Sequence, residues 1–323
     1  MTLVQAIIIS ILQGISELFP VSSLGHAVLL PRLLHWGIDE KGASWLAFLV
    51  ALHIGTAAAL LLYFRDDWLA VAAAFVRSVR TGQMNAGPDE RLAWMVVLGT
   101  VPAGIVGFLL EHPLRSLFGS PYIAAAFLVV NGAIMYAGER LLQRRLSVVA
   151  LGAGAEGRPV AAPTPSNGAV ATLPRSEPHA GSHLVPLGRY RDITQVGWRD
   201  AAIVGFAQVG ALFPGISRSG VTMVAGLAAG LTHEAAARYA FLLATPIIGA
   251  AGVLELPKLF EPSGRSVLGY ALIGMALAGI AAYLSVRYLM RYFELGRLYP
   301  FAYYCVAAGL ASITLLAIGG QSF

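Results

Sequence analysis

The segment "ELFPVSSLGH", residues 17–26, places a carboxylate, two adjacent serines and a histidine inside one of the most apolar parts of the chain. The stretches 3–19 and 22–34 on either side are apolar but short, and Pro20 interrupts them. A membrane-spanning helix needs about 20 mostly apolar residues, so neither stretch is long enough to cross a bilayer. We therefore predict a re-entrant helical hairpin over residues 3–34, which enters the membrane and returns to the same side.

A second broken segment, "ALFPGISRSG" at residues 211–220, places an arginine between two serines. It joins the short apolar stretches 201–213 and 217–231, and a Pro-Gly pair forms the break. The same reasoning predicts a second re-entrant hairpin over residues 201–231.

The composition is typical of a membrane protein. Of the 323 residues, 57% are hydrophobic and only 12% are charged, whereas soluble domains have about 25% charged residues. The single cysteine excludes an intramolecular disulfide and a cysteine-rich metal site. We attribute the net charge of +5 to cytoplasmic loops, not to nucleic-acid binding. Six further segments are predicted to span the membrane: Trp45–Phe64, Leu92–Leu110, Tyr122–Leu142, Tyr239–Leu256, Val267–Leu289 and Pro300–Ile318.

The two halves of the chain resemble each other. "ELFP" at residue 17 corresponds to "ALFP" at residue 211, and "FLVALHIGTA" from Phe48 corresponds to "FLLATPIIGA" from Phe241. The distance from Pro20 to Gly55 and that from Pro214 to Gly249 are both 35 residues. Each half is therefore predicted to contain one hairpin and three spanning helices, and an odd number of crossings inverts the second half relative to the first.

We accordingly predict an all-α polytopic membrane protein built as an inverted repeat. The first repeat covers residues 1–146 and the second covers residues 192–323. Residues 147–191 are rich in Ala, Gly, Pro and Ser and lack apolar periodicity, which indicates a flexible linker.

The basic residues predict the orientation in the membrane. When the chain is followed through six crossings, 16 arginines fall on one side and five lysines or arginines on the other. The positive-inside rule makes the first side cytoplasmic, so the linker is predicted to be cytoplasmic and both termini to lie outside. The first hairpin then enters from outside and the second from the cytoplasm, and their tips meet near the midplane.

Polar residues at membrane depth usually mark a functional site, and here they cluster at the two chain breaks. Hydroxyl groups, backbone amides at helix starts and a guanidinium together favour a phosphate-binding site. The residues concerned are Ser22 and Ser23 at one break, and Ser217, Arg218, Ser219 and Thr222 at the other.

Glu17 would repel a phosphate unless a divalent cation lay between them, and Mg²⁺ commonly binds carboxylates together with substrate phosphates. Gln13 lies one turn earlier on the same helix face, where its amide oxygen completes a metal site or positions a water. Since a buried carboxylate without partners is costly, we expect the partner of Glu17 to arrive with the substrate. His26 shares a helix face with Ser23 and is a candidate general base for it, whereas His53 is interpreted as structural.

The segment from Gln13 to His26 resembles the first signature of the bacterial undecaprenyl-diphosphatase family, which is associated with bacitracin resistance. That signature is Glu or Gln, three residues, Glu, and then Pro-Val-Ser-Ser-Thr-Gly-His. The segment "PGISRSGVT" from residue 214 resembles the second signature, Pro-Gly-x-Ser-Arg-Ser-x-x-Thr. Two features stand out: Gln13 is the uncharged option at its position, and Leu24 replaces the usual threonine.

The resemblance implies a hydrolase of the bacterial cell membrane that converts undecaprenyl diphosphate to undecaprenyl phosphate and inorganic phosphate. Such an enzyme recycles the lipid carrier of peptidoglycan synthesis in cell-wall biogenesis. The resemblance also implies a divalent metal, Mg²⁺ or Ca²⁺. It assigns Glu17 and Gln13 to the metal, Ser22, Ser23 and His26 to the catalytic segment, and Ser217, Arg218, Ser219 and Thr222 to the diphosphate.

Two catalytic routes stay open at this point. Ser23 attacks phosphorus with His26 as its base, or His26 or Glu17 activates a water directly. The alternative function is a transporter or flippase of polyprenyl phosphates, because inverted repeats with hairpins at the midplane are typical of transporters.

Overall fold

The secondary structure in the computed structural model is helical, apart from an isolated bridge between Arg191 and Leu231 in the part of the chain that the structure describes. That part comprises residues 1–40, 42–84, 86–110, 119–155 and 191–319. Its main helices are α1 (Leu3–Ser16), α2 (Ser23–Leu33), α3 (Ala43–Tyr63), α4 (Arg65–Thr81), α5 (Pro88–Leu109), α6 (Pro121–Ala155), α7 (Trp198–Val209), α8 (Arg218–Ala228), α9 (His233–Glu255), α10 (Leu268–Phe293) and α11 (Tyr299–Gly319).

The prediction of six membrane-spanning segments is confirmed by the length and composition of the helices. Within the described residues, α3, α5, α6, α9, α10 and α11 are the six helices long and apolar enough to cross a membrane. Their surfaces carry exposed large apolar side chains, such as Phe108 and Leu254, as expected for helices that face lipid. The protein is therefore an all-helical, multi-pass membrane protein.

The two hairpin regions consist of paired short helices. Thr2 caps α1 and forms a capping box with Gln5, and α1 ends at Ser16, four residues before the break at Pro20. Ser22 caps α2 and Ser217 caps α8, each by accepting a backbone N–H with its side chain. Local sequence thus stops one helix and starts the next on either side of each break.

Helix α4 was not predicted from the sequence. Its buried residues Val71, Ala74 and Ser78 recur at helical spacing, whereas its basic residues Arg77 and Arg80 are exposed. Such a one-sided pattern produces an amphipathic helix of low mean hydropathy, which a search for spanning segments does not detect.

The helices of one half pack mainly on those of the other. Helix α3 lies along α10, and α6 lies along α11. The first short helix of each hairpin also crosses over, because α1 packs on α10 and α7 packs on α5. Gly14 permits the close approach of α1, since a Cβ there would overlap the carbonyl oxygen of Ala278 in α10.

Most of the predicted linker at 147–191 lies outside the described residues. Helix α6 continues through Ala155, so residues 147–155 are helical. At the far end, Arg191 makes two hydrogen bonds to the carboxylate of Asp200 in α7, at 2.7 and 2.9 Å. This contact fixes the chain where it enters the second hairpin.

Candidate active site

The two hairpin breaks touch each other through glycine. A Cβ on Gly25 would lie only 3.1 Å from the Cα of Gly215. Gly215 itself has a φ of +99°, and a Cβ there would overlap the carbonyl oxygen of Ala124 in α6. Only glycine combines this conformation with this crowding. The first turn of α2 and the break at residue 214 therefore meet directly.

Asn131 in α6 links the two breaks. Its Nδ2 donates a hydrogen bond to the carbonyl of Pro20 at 3.0 Å, and its Oδ1 accepts the N–H of Ser217 at 3.0 Å. The side chain is fully buried, so these bonds have no competition from water. Sequence reasoning missed Asn131, although an asparagine in an apolar spanning helix is itself a signal.

Ser22 holds an unusual backbone conformation at the first break. Its φ is +68°, a region that costs a residue other than glycine about 1–3 kcal/mol. Its Oγ accepts the N–H of Gly25 at 3.2 Å, which caps α2. The strained turn places Ser23 at the first position of α2, where its hydroxyl donates to Glu17 Oε2 at 2.5 Å.

Glu17 is the centre of the polar cluster. Its Oε2 accepts from Ser23 and from Nε2 of Gln13, the latter at 3.0 Å. Its Oε1 accepts from Nη2 of Arg218 at 2.5 Å. The expectation that the partner of Glu17 arrives only with the substrate is therefore wrong. The second hairpin supplies the compensating charge, from a residue 201 positions further along the chain.

Arg218 is the first residue of α8 and reaches across to the first hairpin. Its side chain is only 15% exposed, and the Glu17 side chain is 7% exposed. Nη1 also donates to the carbonyl of Ala244 at 3.1 Å. Two of the five guanidinium protons are engaged in these contacts, so the remaining N–H groups are free to donate to a phosphate. Beside Arg218, the hydroxyls of Ser217 and Ser219 lie 3.0 Å apart.

A cavity of about 390 Å³ opens onto this cluster. Five of the residues predicted from the sequence line it, and most of the remaining wall is apolar, from residues such as Leu49, Ile247 and Ile248. The arrangement suits a ligand with an anionic head and an apolar body. The five predicted residues are Glu17, Ser22, Ser23, Ser217 and Arg218.

Other predicted residues lie away from the cavity wall. The ring of His26 stacks on Tyr304, with Nε2 2.7 Å from the Tyr304 hydroxyl and Nδ1 2.7 Å from the Ser22 carbonyl oxygen. The hydroxyl of Thr222 donates to the carbonyl oxygens of Arg218 and Ser219 in its own helix. The hydroxyl of Ser23 is bonded to Glu17, so this geometry does not support His26 as the base for Ser23.

Two residues that sequence reasoning did not assign to the site line the cavity. His53, interpreted from the sequence as structural, has its Nε2 3.5 Å from Glu17 Oε2. Gln208 is buried, and its Nε2 donates to the carbonyl of Gly99 at 2.7 Å. This bond fixes the amide orientation and leaves Oε1 of Gln208 buried without a hydrogen-bond partner. An acceptor is thus available to a ligand on the cavity wall.

The donor set at Glu17 fits a divalent cation. Oε1 of Gln13 is buried and has no hydrogen-bond partner, and the amide nitrogen of the same side chain touches the Glu17 carboxylate. Over the described residues, no group of three or more His, Cys, Asp or Glu side chains could hold a metal. One carboxylate and one amide oxygen are a donor set that suits an ion such as Mg²⁺, which takes one or two protein oxygens and completes its shell with water and phosphate.

Comparison with known proteins places the chain in one family. A family model described as "Bacitracin resistance protein BacA" matches residues 6–311. "Undecaprenyl-diphosphatase 2" of Frankia alni is 45% identical over 98% of this chain and 99% of its own length. "Undecaprenyl-diphosphatase" of Mycolicibacterium paratuberculosis is 46% identical over 98% and 97%, and that of Acidiphilium cryptum is 42% identical over 99% and 100%. The similarity covers both hairpins and every spanning helix, and the chain therefore belongs to the bacitracin resistance protein BacA family.

Proposed function

We propose that this protein is an integral membrane phosphatase that hydrolyses undecaprenyl diphosphate to undecaprenyl phosphate and inorganic phosphate. The observation that carries the proposal is the hydrogen bond from Ser23 to Glu17 beside Arg218, at the polar end of an apolar cavity. The names of the relatives and the family membership support the same substrate. The reaction would return the lipid carrier to peptidoglycan synthesis.

The shape of the cavity supports a lipid diphosphate as substrate. The polar end can take the two phosphates, while the apolar wall from α3 and α9 accepts the first isoprenoid units of the chain. The rest of a C55 tail stays in the bilayer, beside the exposed apolar faces of the spanning helices. A water-soluble diphosphate has no apolar group to bury against this wall.

Of the two routes that the sequence left open, the geometry favours attack by Ser23. The Ser23 oxygen bonds to the terminal phosphorus while its proton passes to Glu17 Oε2, 2.5 Å away. The bond from phosphorus to the bridging oxygen breaks, and undecaprenyl phosphate leaves as a stable anion. Water then attacks the phosphoserine phosphorus, the bond from phosphorus to the Ser23 oxygen breaks, and that oxygen takes back the proton from Glu17 while inorganic phosphate is released.

Arg218 stabilises the charge that develops on the transferring phosphoryl group, through the N–H groups that Glu17 and Ala244 do not occupy. Gln13 and Glu17 are the residues that would hold a divalent cation, which when bound supplies further positive charge to the phosphate oxygens. Gln208 Oε1 accepts a hydrogen bond from a water or from a protonated phosphate oxygen on the cavity wall. Each group thus acts by positioning or by charge, as phosphoryl transfer requires.

We propose further that residues 1–146 and 192–323 form an inverted repeat, each with a re-entrant hairpin and three spanning helices. The packing supports this relation, because α1 contacts α10 as α7 contacts α5. The first spanning helices of the halves, α3 and α9, also contact each other, as do the last, α6 and α11. A two-fold relation between the halves produces such reciprocal contacts.

The proposed orientation places both termini outside, the linker at 147–191 in the cytoplasm and the cavity open to the outside. The cavity wall comes from the first half of α3 and the last half of α9, the ends that the distribution of basic residues puts outside. In a Cys305→Ser background, a cysteine at Ser166 should resist membrane-impermeant thiol reagents in intact cells. A cysteine at the exposed His35 is the matched control and should react, and the opposite result would invert the topology.

The activity is tested by giving the detergent-purified protein a long-chain polyprenyl diphosphate and measuring phosphate release, with and without divalent metal. Wild type should release one phosphate per lipid, and Ser23→Ala should lose at least ~100-fold in rate, the typical loss when an essential catalytic group is removed. Ser285→Ala, a buried serine of α10, is the matched control and should retain the rate. An active Ser23→Ala would refute the serine route, and turnover only in sealed vesicles would favour transport.

A further inference from the structure

His53 in α3 presents an unprotonated ring nitrogen to Glu17. Its Nδ1 lies 2.8 Å from the carbonyl oxygen of Leu49, and a carbonyl can only accept, so the proton is on Nδ1. In the neutral ring Nε2 then carries a lone pair, and it lies 3.5 Å from Glu17 Oε2. A histidine whose other nitrogen donates to a backbone carbonyl has the arrangement that metal-ligating histidines almost always show.

Gln13 separates these two acceptors with its amide. Its Nε2 lies 3.0 Å from Glu17 Oε2 and 3.2 Å from His53 Nε2, so it donates to both. Its own Oε1 is buried without a partner, at a cost of about 1–3 kcal/mol. Rotation of the amide by half a turn exchanges the two atoms and would bring Oε1 between the carboxylate and the imidazole. Three lone pairs would then converge, and a metal cation between them would stabilise this arrangement.

The spacing of the three atoms matches one face of an octahedral metal site. Adjacent ligands of an octahedron are separated by √2 times the bond length, which gives about 3.0 Å for Mg²⁺ and about 3.3–3.7 Å for Ca²⁺. The pairwise separations of Gln13 Nε2, Glu17 Oε2 and His53 Nε2 are 3.0, 3.2 and 3.5 Å, and rotation of the amide would put Gln13 Oε1 near the present place of its Nε2. Arg218 approaches the other carboxylate oxygen, Oε1, so its positive charge lies away from Oε2, where the neighbouring donors are the neutral Ser23 hydroxyl and the Gln13 amide.

We propose that Gln13, Glu17 and His53 together bind one divalent cation, and that the Gln13 amide rotates to present its oxygen when the cation enters. This rests on the proposed function only in that water or phosphate oxygens complete the shell. Carboxylate and carbonyl oxygens suit Mg²⁺, Ca²⁺ and Mn²⁺, whereas an imidazole ligand favours transition metals. His53 therefore shifts the preference of this chain from Ca²⁺ towards Mn²⁺.

The test measures metal binding by the purified protein without any lipid substrate. Titration with Mn²⁺, followed by the electron paramagnetic resonance signal of the free ion, should give one site per chain that a large excess of Ca²⁺ is needed to empty. His53→Ala should weaken Mn²⁺ binding at least ~10-fold and reduce the preference over Ca²⁺. His35→Ala, at an exposed position two residues after the end of α2, is the matched control and should bind as wild type does.

A measurement on wild type removes the risk that His53→Ala fails to fold. Pulsed electron paramagnetic resonance of the Mn²⁺-loaded protein should show modulation from a coordinated ¹⁴N, which only an imidazole supplies at this site. Its absence, or unchanged Mn²⁺ affinity in His53→Ala, would overturn the proposal. Protein that binds Mn²⁺ through His53 but releases no phosphate would refute the proposed function alone, and active protein without the ¹⁴N signal would refute the His53 ligand alone.

Discussion

The buried pair of Glu17 and Arg218 should hold the two hairpins together, which makes Glu17→Gln a test of stability as well as of activity. The substitution keeps the shape of the side chain but leaves the guanidinium of Arg218 buried without an anion. Both side chains are largely buried, at 7% and 15% exposure, and their N–O separation is 2.5 Å. Water therefore does not screen the attraction between the two charges, in contrast to a surface ion pair.

The expected loss follows from what the glutamine retains. Removal of one partner from a buried ion pair costs about 3–5 kcal/mol. The glutamine oxygen can still accept from Arg218, which places the loss near the lower limit, at about 3 kcal/mol. At about 2–4 °C per kcal/mol, the unfolding midpoint should fall by roughly 6–12 °C. Arg218→Met should cost a similar amount, because it leaves the carboxylate with only neutral donors.

The double variant separates this explanation from simple damage to the site. Glu17→Gln with Arg218→Met buries no charge, so it should cost about 2–3 kcal/mol less than the sum of the single variants. Thermal unfolding of the four proteins in one detergent, followed by tryptophan fluorescence, measures the cycle. Glu255→Gln, which breaks a partly exposed ion pair with Lys258 at the cavity wall, should stay close to wild type. Additive losses, or single variants that unfold at the wild-type temperature, would refute the reasoning.

Three further outcomes follow from the same contacts. Arg218→Lys keeps the charge but loses the planar guanidinium. Phosphate release should therefore fall at least ~10-fold, which is on the order of 1.4 kcal/mol in the activation barrier. A fully active lysine variant would exclude phosphate binding by the guanidinium. Gly215→Ala should destabilise the protein by at least ~1–2 kcal/mol because of its positive φ, whereas Gly104→Ala, with open space around it, should not. Burial alone would raise the pKa of Asp200, but the hydrogen bonds from Arg191 outweigh it and hold the pKa below the ordinary 3.8. The ion pair therefore stabilises the fold fully above that value, and this stabilisation is lost as the pH falls below it. Asp200→Asn should lower the unfolding temperature at pH 7 and show no difference from wild type in strong acid.

The spanning helices could be predicted from the sequence because each is a long run of apolar residues, and that signal is local. The hairpin helices followed from the same signal together with the proline breaks, and their observed ends lie within a few residues of the predicted ones. Helix α4 was missed because its apolar residues occupy one face only. The packing of that one face against neighbouring helices, and not the mean hydropathy of the segment, stabilises α4.

The candidate site was predictable only where the polar residues stand close together in the chain. Glu17, Ser23 and Arg218 lie in two short motifs, and the structure brings all three together. Asn131, His53 and Gln208 are single polar residues in apolar helices, and nothing nearby in the sequence indicates what they face. Their contacts outside their own helices join residues 86 or more positions apart, except those of His53 with Gln13 and Glu17, which span 40 and 36 positions. Tertiary packing alone reveals such pairs.

The proposed repeat also explains why the cavity has one polar end and one apolar wall. If the Pro20 and Pro214 breaks are superposed, Glu17 corresponds to Ala211 and Arg218 corresponds to Leu24. Both apolar counterparts line the same cavity as the charged residues. Each half thus contributes one member of the ion pair and one apolar residue, and neither half contains both charges. A site between two similar halves would otherwise accept a diphosphate in two opposite directions. This division of charge leaves one direction in which the phosphates meet Arg218 and Ser23 while the tail meets the apolar wall.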